Sequence, residues 1–292
     1  MATLAIADRK STFGVFAPLV LMTGLALVVL PTMAFVARVS WSTESGAHGP
    51  IVLFTGLWLL SRLWPQARPV VAQPPAVPAV IGLAVTLPLY LVARIAQIAE
   101  IQGYLMYAVV LAATYALIGL PAMRRLWFPL LYLAFMFPLP DTLVAALTGS
   151  LKTGISHAAV AFLYQFGYPI GSAGVTIQVG QFQLLVAAAC SGLNSIVALT
   201  AISLFYVYMR HQADWRYALL LTVLILPVAI FTNFVRVMIL ILLTYHAGDA
   251  VAQGFLHNFA GLTMFTVALL TIFALDSAIE PIWRRLTTRS TV

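Results

Sequence analysis

Long apolar runs, separated by short connectors that carry basic residues, constrain this chain more than any other feature of its sequence. Only 8% of its 292 residues are charged, whereas 62% are hydrophobic. A soluble domain carries roughly 25% charged residues, so a soluble fold of this size would lack the charge to cover its surface. The sequence therefore predicts an all-α polytopic membrane protein.

The apolar runs predict about eight transmembrane helices, because a membrane-crossing helix needs about 20 mainly apolar residues. The first run exceeds the apolar core of a signal peptide, and we interpret it as a retained signal anchor. We interpret residues 1–292 as a single membrane domain. The predicted spans are 14–36, 49–64, 76–93, 101–120, 126–140, 191–209, 216–236 and 258–279.

The distribution of basic residues supports this count. If both termini lie in the cytoplasm, eleven of the 15 Lys and Arg residues fall on the cytoplasmic side, as the positive-inside rule requires. The basic residues form no cluster that suits a phosphate backbone. The formal charge of +7 therefore predicts membrane topology and contact with membrane lipids, and no nucleic-acid partner. The four basic residues on the outer side are Arg38, Arg94, Lys152 and Arg236.

Residues 137–190 depart from the pattern of spans and loops. Apolar residues at helical spacing follow "FPLP" (137–140), which predicts an amphipathic segment that lies along the outer interface or dips into the membrane. Further on, "GVTIQVGQFQLL" alternates apolar and polar residues around Gly180. This alternation predicts a small β-hairpin on the outer side, with its turn at Gly180.

Cys190 is the only cysteine in the chain. It excludes an intrachain disulfide and a multi-cysteine metal site, and we expect neither a cofactor nor a metal. Ser191 is a good helix N-cap, so the sixth span is predicted to begin beside Cys190. The helix dipole favours a thiolate at such a position. Asn194 shares the face of Cys190 if the helix extends that far back.

Two further polar residues are predicted to reach the same interface. Counting from Arg216 at the cytoplasmic side, about 20 residues bring span seven to the outer interface near Arg236, and Asn233 shares its face. The last span must end inside, so it begins outside, near His257. Residues 237–256 are too few to cross and return. They predict an apolar extension of span seven and a turn near "HAGDA".

Cysteine, histidine and arginine together suit acyl transfer. A thiolate attacks a carbonyl, a histidine exchanges protons near neutral pH, and an arginine donates hydrogen bonds to the oxyanion. Each residue also has a structural interpretation: Cys190 as apolar packing, Arg236 as a snorkelling side chain, and His257 as a helix cap. Position alone does not select His257, because other histidines fall on the predicted outer side. These are His48, His157 and His246.

Three sequence blocks resemble the exosortase/archaeosortase family of polytopic membrane cysteine transpeptidases. They are "ACSGLNS" (189–195), "PVAIFTNFVR" (227–236) and "HNFAGLTMF" (257–265), in that order. The matching positions form a motif-bearing core at about 130–270. The chain has Asn194 where many members of the family have arginine.

The resemblance implies that Cys190 is the nucleophile, with Arg236 and His257 as its catalytic partners. From their positions near these residues, we expect Asn194 and Asn233 to bind substrate or support the site. It implies cleavage of a C-terminal tripartite sorting signal on exported proteins: a Pro-Glu-Pro-type motif, a membrane span and a basic tail. The acyl group would pass to water or to a surface acceptor such as a polysaccharide, lipid or amine. The implied location is the inner membrane of a bacterium, with the active site on the periplasmic side.

Two other functions remain open at the level of sequence. A transporter would have polar residues and interrupted helices near the membrane midplane, and Pro227 and Asn233 in span seven partly fit that picture. A non-catalytic membrane assembly subunit would have no need for Cys190.

Overall fold

The computed structural model describes residues 2–43, 46–174, 176–185, 194–210, 215–258 and 260–289, and this part of the chain is mostly helical. It divides into two compact units, Met1–Pro138 and Leu139–Val292. Within these described ranges, five helices are long and apolar enough to cross a membrane, as expected for a multi-pass membrane protein. These five crossing segments are Leu19–Val39, Ala76–Ile95, Ala99–Arg125, Arg216–Ala247 and Thr266–Arg285.

The first unit consists of helices that pack around the long helix α4. In it, α1, α3 and α5 each pack against α4, while α2 packs against both α4 and α5. A 3₁₀ turn, Ala134–Met136, follows α5. The helices are α1 (Ala2–Val39), α2 (Gly49–Ala67), α3 (Ala76–Ile95), α4 (Ala99–Arg125) and α5 (Trp127–Leu133).

Buried polar side chains connect α1, α3 and α4. The hydroxyls of Thr32 and Tyr90 lie 2.7 Å apart, and the amide of Gln102 donates to Thr32 over 3.4 Å. Arg94 donates to the Tyr90 hydroxyl over 2.9 Å. Because lipid tails are as apolar as leucine, hydrogen bonds of this kind contribute to helix association inside a membrane.

Helix α5 is shorter than the predicted span 126–140, and side chains of the first unit satisfy the backbone beyond it. The carbonyl of Phe135 accepts from Nε2 of His48 (2.9 Å), and that of Met136 from the indole of Trp41 (3.2 Å). The carbonyl of Phe137 accepts from the hydroxyl of Tyr104 (3.0 Å). Such side-chain partners allow non-helical backbone to lie at membrane depth when protein surrounds it.

A break at Gly119 redirects the end of α4. Gly119 has φ of +74°, and a Cβ atom there would lie 2.5 Å from the carbonyl oxygen of Ala72. Only glycine adopts this conformation readily. Pro121 follows within the same helix, and the two residues turn the final segment of α4 away from the helix body.

The second unit combines helices with one small antiparallel sheet. Its strand order is β1-β2-β3. The strands are β1 (Ile170–Ala173), β2 (Thr176–Val179) and β3 (Phe182–Leu185). The helices are α6 (Asp141–Gln165), α7 (Asn194–Arg210), α8 (Trp215–Ala247), α9 (Asp249–Asn258) and α10 (Ala260–Arg289).

The sheet confirms the predicted hairpin and adds a strand. Val179 pairs with Phe182 across the turn that contains Gly180, and β1 pairs with β2 as a third strand that the sequence analysis did not predict. Ile177 and Val179 are buried and Gln178 is exposed, so the predicted alternation is confirmed there. Val175 lies outside the described residues.

The predicted extension of span seven is also confirmed. Helix α8 continues without interruption from Trp215 to Ala247, and Pro227 does not break it. Gly248, with φ of +85°, makes the turn that was expected near "HAGDA". Helix α9 then packs back against α8.

Candidate functional site

Helix α8 turns its polar residues toward the protein and its large apolar residues outward. Asn233 is fully buried and Arg236 is only 3% exposed, and their spacing of three places both on one helical face. The residues on the opposite side are among the most exposed large apolar side chains. These include Leu219, Val223, Leu226 and Phe231, each more than half exposed.

The threonine hydroxyls on the buried side of α8 form hydrogen bonds within the helix itself. Thr232 donates to the carbonyl of Val228 over 2.7 Å, and Thr244 donates to that of Leu240 over 2.9 Å. These bonds to the preceding turn are ordinary for helical threonine. Asn233 and Arg236 differ from the threonines because they bring an amide and a charged group to the same buried side of α8.

Arg236 lies where the surroundings of α8 change. Before it, Ile225, Val228 and Ala229 form a buried cluster with residues of α7 and α10. After it, Val237 and Ile241 belong to another cluster. That second cluster contains residues of α6 and the sheet, namely Ile155, Ala159, Leu163, Ile177, Val179 and Leu184.

Helices α7 and α10 both run antiparallel to α8. Near the start of α8, Tyr217 packs with Val207 of α7 and donates to Asp276 of α10. Further along, the cluster around Val228 includes Leu199 of α7 and Ala268 of α10. A step forward along α8 thus corresponds to a step of similar size backward along both neighbours.

Extending this antiparallel alignment places the start of α7, the start of α10 and the Asn233–Arg236 stretch of α8 at the same height along the helices. The first residue of α7, Asn194, lies five residues before Leu199, and the first residue of α10, Ala260, lies eight before Ala268. At about 1.5 Å per residue, both helix starts come level with the stretch of α8 that holds Asn233 and Arg236. The level lies about 32 Å from the start of α8 at Trp215, close to the thickness of a bilayer core.

The structure describes some of the predicted site residues and not others. It places Arg236 and Asn233 together on a buried face, as the sequence predicted. Asn194 is the first residue of α7, and His257 lies in the last turn of α9, but their side chains are outside the described part. Cys190 lies outside the described residues entirely, between β3 and α7, and its role remains a prediction.

The other candidate histidines each lie within hydrogen-bond distance of another group of the protein. Nε2 of His246 lies 3.2 Å from the hydroxyl of Tyr168, and Nδ1 of His157 lies 3.3 Å from the hydroxyl of Ser172. His48 is buried in the first unit, where it bonds to the carbonyl of Phe135. Within the described ranges, no three His, Cys, Asp or Glu residues group as metal ligands.

A buried carboxylate at the other end of α8 was not singled out from the sequence. Asp276 of α10 is fully buried. It accepts hydrogen bonds from the hydroxyls of Tyr206 (2.6 Å) and Tyr217 (2.8 Å), and Nε of Arg210 lies 2.9 Å away. An acid within the last predicted span was the available signal, because ionisable residues inside membrane helices are rare and partnered.

Glu280 extends this charged network. One carboxylate oxygen lies 3.2 Å from Arg210 and the other 2.6 Å from Arg284. The network joins α7, α8 and α10 about 28 Å from Arg236, which is 19 residues from Tyr217 along α8. It therefore fixes the three helices at one end, while Arg236 and Asn233 lie where α7 and α10 begin.

One protein-family model matches the chain. Its description is transmembrane exosortase, and it matches residues 41–274, about four fifths of the sequence. The match covers both units and all three sequence blocks singled out above. No curated protein and no solved structure matches the chain significantly.

Proposed function

The chain belongs to the transmembrane exosortase family, and on that premise we propose that it is a membrane-embedded cysteine protease or transpeptidase. Its substrates are exported proteins with a C-terminal sorting signal, which it cleaves at a Pro-Glu-Pro-type motif. The family is generally one of membrane cysteine peptidases and transpeptidases. The chain acts as one membrane domain in the inner membrane of a bacterium.

The observation that supports this function most directly is the buried pair Asn233–Arg236 at the level where α7 and α10 begin. Ionisable residues in membrane helices are rare and mark functional sites when they face the protein interior, so a buried arginine in α8 favours a functional role. Cys190 lies four residues before α7, and His257 lies three residues before α10. In the proposed site, these short connections keep both residues near that level.

The proposed reaction is acyl transfer through a thioester. The Cys190 thiolate attacks the carbonyl carbon of the scissile peptide bond and forms a C–S bond, and Arg236 donates hydrogen bonds to the oxyanion. The C–N bond then breaks as His257 gives a proton to the leaving amine. Water or an acceptor amine attacks the thioester and gives a proton to His257, the C–S bond breaks, and the Cys190 thiolate is released.

Arg236 has a second possible target in the same substrate. A carboxylate in the recognition motif would form a charge-assisted pair with its guanidinium. In the proposed site, the amide groups of Asn194 and Asn233 would orient the peptide. These residues carry the specificity of the proposed site, and Asn194 replaces the arginine found in many members of the family.

The proposed topology has eight crossings, with both termini in the cytoplasm and the site on the periplasmic side. Helices α2 and α7 would supply two crossings beyond the five long apolar helices. The remaining crossing would combine α5, its 3₁₀ turn and the extended residues 137–140. Ten helical residues reach about 15 Å and four extended ones about 13 Å, which together approach the bilayer core thickness.

The test of this function is processing of a co-expressed exported protein with a Pro-Glu-Pro-type C-terminal signal. We expect cleavage by the unaltered protein and none by Cys190→Ala at equal abundance in the membrane. His257→Ala should also stop cleavage, whereas the matched changes His157→Ala and His246→Ala should not. Cleavage that persists in Cys190→Ala would contradict the proposed function.

A further inference from the structure

An open apolar groove lies in the first unit, where the end of α4 meets α5. Its volume is about 360 Å³. The body of α4 supplies Tyr107 and Leu111, and the segment beyond the Gly119 break supplies Met123. Helix α5 supplies Trp127, and the 3₁₀ turn after it supplies Ala134. The change of direction at Gly119 moves the end of α4 aside and leaves this space open.

The groove faces outward and offers hydrocarbon surface. Leu120, Leu131 and Trp127 at its edges are 46%, 53% and 58% exposed. The hydroxyl of Tyr107 donates to the carbonyl of Leu130, so the polar end of this side chain is used within the protein. In a multi-pass membrane protein, an exposed apolar surface of this kind meets lipid chains rather than water.

Arg124 gives the groove a single positive charge. It lies in the lining, is exposed, and is followed by the exposed Arg125. Among the residues that the structure describes, no acidic side chain pairs with Arg124. Basic residues predict the cytoplasmic end of this helix, and tryptophan, present here as Trp127, is enriched at the level of lipid headgroups.

The shape and charge of the groove favour a lipid chain over a peptide helix. A single acyl chain is narrower than a helix, which is about 10 Å across, and lies along such an open cleft. A helix followed by a basic tail would also be repelled by Arg124 and Arg125.

We propose that this groove binds an anionic phospholipid of the bilayer. One acyl chain lies between α4 and α5, and the headgroup phosphate pairs with Arg124. Basic pockets between membrane helices on the cytoplasmic side bind anionic headgroups through this combination of charge and apolar surface. The proposal concerns the first unit alone and does not depend on the catalytic function.

Native mass spectrometry of the full chain in detergent tests the proposal. The probes are phosphatidylglycerol and phosphatidylcholine with identical acyl chains, and inorganic phosphate. We expect the anionic lipid to bind about fivefold more tightly than the neutral one, the effect of one arginine near the surface, and phosphate alone to give no adduct. Equal binding of the two lipids would overturn the proposal, as would an adduct with phosphate alone.

Four variants separate the effect of the charge from the effect of the cavity. Arg124→Gln should abolish the preference for the anionic lipid, while Arg124→Lys and the matched control Arg68→Gln should keep it. Ala134→Phe should fill the groove and weaken the binding of both lipids to a similar extent. The proposal fails if Arg124→Gln retains the preference, or if Ala134→Phe leaves lipid binding intact and instead blocks processing of the sorting-signal substrate.

Discussion

Arg236 is the residue on which the interpretation of this protein depends most. It is 3% exposed in an apolar helix of 33 residues, and a snorkelling arginine would instead extend its charged end to water. Asn233 shares its face and is also buried. A buried polar pair on a membrane helix supports the proposed site over an interfacial anchor.

Removing the charge of Arg236 should separate function from folding. We expect Arg236→Met to lower substrate processing by at least about 100-fold, the effect of losing one oxyanion donor. The unbranched methionine fills much of the same space, and the abundance of the variant in the membrane shows whether it still folds. The measurement is the initial rate of cleavage at matched protein abundance.

Arg38 offers a matched control for this change. It is exposed and lies at the end of α1, on the same predicted side of the membrane. Arg38→Met should leave processing unchanged. Equal rates for Arg236→Met and the unaltered protein would show that Arg236 takes no part in the reaction.

At the scale of the element, α8 is held by different contacts at its two ends. Its first turns are fixed by the Asp276 network, and its last turns pack against α6 and the sheet. The stretch between them carries Asn233 and Arg236. Two fixed ends hold the intervening buried face in a defined position relative to α7 and α10.

The Asp276 network should stabilise the second unit. Asp276→Ala removes the acceptor of two tyrosine hydroxyls, and hydrogen bonds to a charged group contribute about 1.5–3 kcal/mol each. We expect a clear fall in the apparent melting temperature in detergent. Glu280→Ala should have a small effect, because its ion pairs are with exposed arginines and such pairs contribute at most about 1 kcal/mol. Equal melting temperatures for Asp276→Ala and the unaltered protein would contradict this role.

The elements that local patterns define were predicted from the sequence, and those that depend on distant partners were not. Helix α8, its turn at Gly248 and the β2–β3 hairpin follow from apolar length, a glycine and alternation. Strand β1 contains Gly171, Ser172 and Ala173, which have little intrinsic preference for strands, and it forms through pairing with β2.

The same distinction between local patterns and distant partners applies to the residues of the candidate site. Arg236 and Asn233 were found because a charge and an amide interrupt an apolar run. The Asp276 network was missed because its tyrosine partners lie 59 and 70 residues away in sequence, and no local pattern connects them. The early end of α5 was not predicted, since sequence alone did not show that distant side chains satisfy the carbonyls after it.

At the scale of the whole molecule, the family match and the five long apolar helices establish a multi-pass membrane protein of the exosortase family. The proposed eight crossings place the sheet outside and the end of α10 inside. In a Cys190→Ala background, Gln183→Cys on β3 should therefore react with a membrane-impermeant thiol reagent in intact cells. Arg285→Cys on α10 should react only after lysis.

The labelling result distinguishes an even from an odd number of crossings between the two positions. Both side chains are exposed in the structure, so burial within the protein does not protect them. Labelling of Arg285→Cys in intact cells would contradict the proposed topology. The unaltered Cys190 serves as a third position on the predicted outer side.

The central claim is that Cys190 and His257 meet beside Arg236, and a cross-link tests it without any substrate. Because Cys190 is the only cysteine, the single change His257→Cys creates a defined pair for a short thiol-to-thiol cross-linker. We predict an intramolecular cross-link in this variant, detected by the mass of the linked peptides, and none in His246→Cys, about 15 Å further along α8 than Arg236. Two reactive but unlinked thiols in His257→Cys would contradict the claim.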